Sequence, residues 1–376
     1  MRDSYIGGEM EIHPGALWGS IHSHAFMTDK RYLPVQSGRT ALLMALQAVR
    51  RRNKKKRMTA VLPSYLCPSV VKPFRQEGFE THFFAIEPDL NINEQSLGRA
   101  IETHNPEVLL FINYFGFPVS KSAAAILKAR NAGCFLIEDC AQGSLIGQRS
   151  PAVGTLGDFL ITSFRKYLPV PDGGLLVNRA GFPLPRLCPR RSGFADRMFL
   201  GKLLRDFFLE RSRKSGGLEK LYLRLFSEAE GELEKPLRVE PMSLITFELV
   251  RRIDFDAANR RRRENFQFLL QAFGMNPKLN GLGKPLFTSL PRNVSPLAFP
   301  ILVSDGRRDS VRADLAKQGV FCPVHWHLPT DVKANDFPAS HRLSKSILSI
   351  PIDQRYTVED MERMARLLAC VTKEHV

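Results

Sequence analysis

Between about residue 37 and residue 180 the chain alternates short apolar runs with helical segments, and this alternation limits its fold more than any other feature. "RTALLMALQAVR" (39–50) carries apolar residues at helical spacing. "TAVLPS" (59–64) reads as a short buried strand, and "VVKPFRQEG" predicts a short helix ending at Gly78. "THFFAIE" (81–87), "EVLLFINYF" (107–115), "CFLIEDC" (134–140), "DFLITSF" (158–164) and "GGLLVN" (173–178) are apolar runs of strand length. "SAAAILKARNAG" (122–133) is a helix with a glycine stop. Strand–helix alternation of this kind implies an α/β fold with a mostly parallel sheet covered on both faces. Ligands of such sheets sit at the carboxyl ends of strands. The polar groups Ser64, Asn113, Asp139 and Ser163 fall at those ends.

Past residue 181 the pattern changes. Residues 183–237 are basic, Pro-rich at first and then helical, and residues 243–273 predict one long helix, with a break allowed. Mixed signals follow in "PLAFPILVS", "VRADLAKQG" and "FCPVHW", then a closing helix "TVEDMERMARLLACV", whose Thr357, Glu359 and Asp360 suit a helix start. The expected organisation is a large domain over 1–240, with an N-terminal arm over 1–30, and a smaller α+β domain over 241–376 that includes the long linking helix.

Composition removes several alternatives. No apolar stretch is long enough for a membrane helix, and the first residues lack the layout of a signal peptide, so a cytoplasmic protein is expected. The six cysteines (67, 134, 140, 188, 322, 370) form no CxxC pair, which argues for reduced thiols and against a zinc site. The net charge of +16 gathers in runs at Arg50 to Arg57, Arg211 to Lys214 and Arg260 to Arg263. Such runs are most often solvated faces and helix ends; an anionic substrate, an anionic membrane face or nucleic acid is the alternative. No zinc finger, RNP motif or helix-turn-helix accompanies the charge, so nucleic-acid binding is not expected.

Three short motifs carry the chemistry. "SGRTALLMAL" (37–46) opens a helix on a small turn, where Gly38 lets backbone amides approach an anion. A hydroxyl at that place is usually only a cap. "FLIEDCAQ" (135–142) ends a strand on Asp139 and Gln142. A carboxylate there resists ionisation unless a cation partners it; a metal ligand or an N-cap is the competing reading. "SFRKYLPVPDGG" (163–174) then places Ser163 and Lys166 together at a strand end. Most lysines in loops are surface residues. The co-occurrence of all three motifs in one α/β run favours an enzyme of pyridoxal 5'-phosphate (PLP). Such an enzyme needs a lysine for the cofactor's aldehyde, a carboxylate for its ring nitrogen and a helix start for its phosphate.

On these stretches, with "INYFGFP", "VGTLGDFLITSFRK", "GVFCPVHWHLP" and "LSIPIDQRYTVEDMERM", the chain resembles the DegT/StrS family of PLP-dependent sugar aminotransferases, over residues 30–370. The resemblance implies fold type I, with a seven-stranded, mostly parallel sheet. Lys166 would form the Schiff base and carry the proton at the substrate carbon. Asp139 would pair with the ring nitrogen, and Gln142 with the ring or its 3-hydroxyl. Gly38, Arg39 (through its backbone), Thr40 and Ser163 would hold the phosphate. Asn113, His325 and Trp326 would lie near the substrate. A homodimer is implied, as is transfer of an amino group from glutamate to a keto group of a nucleotide-linked sugar. No metal site is expected.

The chain departs from the family's pattern in places. The step of three residues from Ser163 to Lys166 is shorter than in the family, while the glycine pair at Gly173, seven residues after Lys166, keeps the family's spacing. Cys67 occupies the place of the residue that stacks on the ring, and Tyr65 is an alternative cover. These departures leave open a binding or regulatory protein on the same fold, or a PLP enzyme with a non-sugar substrate.

Overall fold

The computed structural model describes all residues except 1–4, 54, 144–151, 185–186, 188–192, 212–215, 305 and 372–376. Cys188 and residues 212–214 of the second basic run lie outside the described residues. After strand β1 (Ile6–Gly7), β2 (Tyr32–Val35) leads into helix α1 (Gly38–Arg52). Then come β3 (Met58–Pro63), α2 (Pro68–Gln76), β4 (Phe79–Phe84), α3 (Glu94–His104), β5 (Val108–Ile112), α4 (Ala123–Asn131), β6 (Phe135–Asp139), β7 (Phe159–Ile161), the single turn α5 (Phe164–Tyr167) and β8 (Gly174–Asn178).

β2 to β8 form one seven-stranded sheet in the order β2-β8-β7-β6-β5-β3-β4. β8 runs antiparallel to both its neighbours and the other pairings are parallel. Every residue of β5 is buried, as strands covered on both faces require. The register sets Ile112 opposite Asp139 and Asp139 opposite Ile161. The carboxyl ends of three adjacent strands therefore finish in line, and the loops that follow them open on one edge.

The remaining helices and strands are α6 (Gly193–Arg211), α7 (Gly216–Glu232), α8 (Leu244–Val250), α9 (Phe255–Met275), α10 (Pro277–Leu282), β9 (Gly283–Pro285), β10 (Ala298–Val303), α11 (Arg308–Lys317), β11 (Val320–Phe321), α12 (Pro338–Ser346), β12 (Ile347–Pro351) and α13 (Val358–Val371). The region expected to be one long helix is two. Asp254 leaves helical geometry (ψ 94°) and its side chain accepts the Ala257 amide, which starts α9 afresh. β12, β10 and β9 make a three-stranded antiparallel sheet. β1 pairs in parallel with β11, so Ile6 and Gly7 lie against Val320 and Phe321 of the later part of the chain. One apolar core joins both larger sheets, with Phe111, Phe159, Phe266 and Phe299 buried in it.

Candidate active site

The start of α1 forms an anion cradle. Ser37 Oγ accepts the Thr40 amide (3.1 Å) and meets the Thr40 hydroxyl at 3.0 Å. The first amides of a helix have no acceptor within it, so those of Gly38 and Arg39 stay available to a ligand. Two glycines are required by close approach. A Cβ on Gly38 would lie 2.9 Å from the Thr162 carbonyl and 3.6 Å from Ser163 Cβ. One on Gly174 would lie 2.6 Å from that carbonyl and 2.8 Å from the Gly38 nitrogen. The helix start, the end of β7 and the glycine pair thus meet. Ser163 is the N-cap of α5, yet its hydroxyl makes no capping bond.

Two carboxylates end β6 and are treated oppositely. Glu138 is buried and accepts from the amides of Gly154 (2.6 Å), Leu156 (2.9 Å) and Gly157 (2.8 Å) and from Asn113 Nδ2 (2.8 Å). Asp139 is also buried, but among the described residues the one bond to its carboxylate is from the Ala141 amide, at 2.8 Å. Burial pushes the Asp139 carboxyl up, with nearby Lys166 offsetting part of the shift. Gln142 completes this group. Its Oε1 accepts the Phe115 amide at 2.6 Å, while its Nε2 is buried with no partner among the described residues. A buried donor without an acceptor is costly, and a ligand oxygen would relieve it. The residues therefore fit a cofactor that brings a cationic ring nitrogen, a ring oxygen and a phosphate.

Lys166 stands on the turn of α5 and is exposed, into a cavity of about 390 Å³ that it lines with His325. Its charge acts on both Asp139 and His325. Burial, with Lys166 close by, pushes the His325 imidazole down to about 3. The His325 ring is neutral at ordinary pH, and its Nδ1 lies 2.8 Å from Ser349 Oγ. The shortened loop is held by a residue not singled out from the sequence. Arg262 is fully buried; its Nη2 donates to the Tyr167 carbonyl at 3.0 Å, and its guanidinium lies 3.9 Å from the Tyr167 ring centre. The basic run at Arg260 to Arg263 is therefore not wholly a solvated face. Arg262 falls on the buried stripe of α9 with Ala258, Asn265, Phe266 and Leu269, and that spacing was the available signal.

Other expected residues lie elsewhere or are already engaged. The Asn113 amide is bonded to Glu138, Cys140 and the Val119 amide. Tyr65 is fully buried, its hydroxyl donating to the His325 carbonyl and its ring packed with Tyr114 and Trp326 at 5.6 and 5.4 Å. Trp326 is in that cluster and does not line the cavity. Cys67 is the N-cap residue of α2 without a side-chain capping bond, and its Sγ lies 3.0 Å from Ser69 Oγ. The Arg39 guanidinium donates to the Leu233 carbonyl at 3.3 Å.

The N-terminal arm forms part of the cavity lining through Gly7, Gly8, Glu9 and Met10. It is fixed by the fully buried Lys202 of α6, whose Nζ donates to Glu9 Oε2 and to the Met10 carbonyl, both at 2.8 Å. Arg205 donates to the Gly7 carbonyl at 3.0 Å. Burial alone would raise the Glu9 carboxyl, but Lys202 and Arg165 outweigh it and hold it at about 2.

A parallel sheet with one reversed strand, an anion cradle at α1, a buried carboxylate at the end of β6 and a lysine on the turn after β7 make up the architecture of PLP fold type I. Residues 23–181 match the model of the DegT/DnrJ/EryC1/StrS aminotransferase family. Solved structures show the same fold. PseC of Helicobacter pylori, an aminotransferase involved in the biosynthesis of pseudoaminic acid, is 14% identical with a TM-score of 0.68, covering 99% of this chain and 100% of its own. DesV of S. venezuelae is 18% identical with a TM-score of 0.62, covering 98% and 90%. A DegT/DnrJ/EryC1/StrS aminotransferase of Brucella abortus is 18% identical with a TM-score of 0.61, covering 90% and 84%. Among the described residues no helix is long and apolar enough to cross a membrane.

Proposed function

We propose that the chain moves an amino group from glutamate to a keto group of a nucleotide-linked sugar, with Lys166 as the base that shifts the proton at the donor's Cα. Bound PLP supplies an aldehyde that takes the amino group and a ring that takes up electrons. The side chains do the rest. Asp139 holds the ring nitrogen, Gln142 Nε2 the ring oxygen, and the α1 amides with Thr40 and Ser163 hold the phosphate. The Lys166 amine borders a cavity large enough for a small ligand. His325, kept neutral, adds no competing cation there. The net charge of +16 suits an acceptor bearing a diphosphate. CalS13 of Micromonospora echinospora, a sugar aminotransferase of the same fold, supports a sugar acceptor. We further read the chain as a cytoplasmic homodimer, the assembly the family resemblance implies.

The observation that carries this reading is the coupling of Lys166 to Asp139 across adjacent strand ends, beside the unpartnered Gln142 amide. The test is the donor half-reaction. The PLP-loaded enzyme should lose its visible absorbance band on adding glutamate and regain it with 2-oxoglutarate; Lys166→Ala should bind PLP yet show no exchange. A wild-type chain that holds PLP but never reacts with an amino acid would instead be a binding protein on this fold.

A further inference from the structure

Resting on the functional reading above, we infer that Arg312 is the residue that recognises the anionic group of a substrate in the Lys166 cavity. Arg312 stands in the middle of α11 and lines the same cavity as Lys166 and His325. Its Nε donates to the Cys322 carbonyl at 2.9 Å, which fixes the direction of the guanidinium. That bond uses one of five donors, and the terminal nitrogens keep theirs.

Every other fixed charge on this lining is committed. Arg165 is paired with Glu230 and lies 3.9 Å from Glu9. Arg262 is spent on the carbonyls of Tyr167 and Leu297 and on Gln354. Glu9 is bound to Lys202, and Asp353 to Arg355 at 2.7 Å. Lys166 is reserved for the proton. Among the described residues no carboxylate pairs with Arg312, so it is the one oriented, uncommitted guanidinium facing the space where a substrate enters. A planar fork of this kind matches a carboxylate or a phosphate through two parallel hydrogen bonds. The ligand chemistry is thus an oxyanion, which the donor's carboxylate and the acceptor's phosphate both offer.

The test separates the two sources. Inorganic pyrophosphate is titrated into the full-length protein by calorimetry, and glutamate into the PLP-loaded enzyme by loss of the visible band. Arg312→Gln should weaken one of them about tenfold, with Arg312→Lys intermediate because it keeps charge without the fork. A loss confined to pyrophosphate assigns the acceptor's phosphate; a loss for glutamate assigns the donor's carboxylate. Arg51→Gln removes the same charge from the exposed last turn of α1 and should change neither. The inference fails if Arg312→Gln shifts both by less than about twofold, or no more than Arg51→Gln does. A wild-type chain inert towards glutamate counts against the functional reading alone, because the pyrophosphate arm still decides the role of Arg312.

Discussion

The strand-end group and the N-terminal strap both bury charge, but they treat it in opposite ways. In the strap, Glu9, Glu11, Lys202, Arg205 and Arg355 pair with one another across more than 190 residues of sequence, and Arg205 Nε, 3.7 Å from Glu11, is the one buried strap atom left without a hydrogen bond among the described residues. At the strand ends, among the described residues, Asp139 keeps one bond to its carboxylate, Gln142 has an orphan donor and Ser163 makes no cap. Buried polar groups that hold a fold are mostly saturated, because an unpaired one is costly in a low dielectric. Groups left unpaired at a strand end mark the place where a ligand supplies the missing partners. Glu138 and Asp139 repeat the contrast between neighbouring residues.

This contrast is broken most directly by substitution. Glu9→Ala strands a buried cation and should cost about 3 kcal/mol, read by urea unfolding. Glu138→Gln should cost about 2 kcal/mol, since at least one amide loses a charged acceptor. Ser163→Ala should behave in reverse. Its hydroxyl makes no capping bond, so stability should change by less than about 0.5 kcal/mol while PLP affinity falls about tenfold. A large stability loss in Ser163→Ala would erase the distinction.

Much of this was legible. The strands from β3 to β8 announce themselves as apolar runs, and Asp139, Ser163 and Lys166 sit beside them in sequence. Local spacing also shows α1 and α13. It does not show α3, whose polar face hides Leu97 and Ala100, nor where the break allowed between α8 and α9 falls. The strap was illegible for a different reason. Lys202 and Glu9 are far apart in the chain, and each alone reads as a surface charge. Trp326 and Tyr65 show the same limit from the other side, since a residue adjacent to the site in sequence can turn into the core.

A gradual effect is expected from pH. The folded pKa of His325 is pushed down to about 3, against 6.5 for the free side chain. The unfolded chain therefore takes a proton first, and stability should fall as pH drops through 6.5, by at most about 1.4 kcal/mol per pH unit. Glu9, held at about 2, adds its own loss only below its ordinary 4.5. Asp206 works the other way: burial, with Glu210 beside it, raises it to about 6. Burial also pushes the imidazoles of His24 and His104 down, so thermal unfolding between pH 6.5 and 4.5, in an Asp206→Asn background, is read as the difference between His325 and His325→Gln. His325→Gln should flatten that slope, and an unchanged slope would show that the imidazole does not stay neutral.

The central claim is that the Lys166 amine reaches the cofactor's aldehyde. Borohydride treatment of the PLP-loaded protein, followed by peptide mass spectrometry, tests it. The account predicts one phosphopyridoxyl adduct, on Lys166, and none after Lys166→Ala. An adduct on another lysine, or a protein that takes up PLP and yields no adduct, would contradict it.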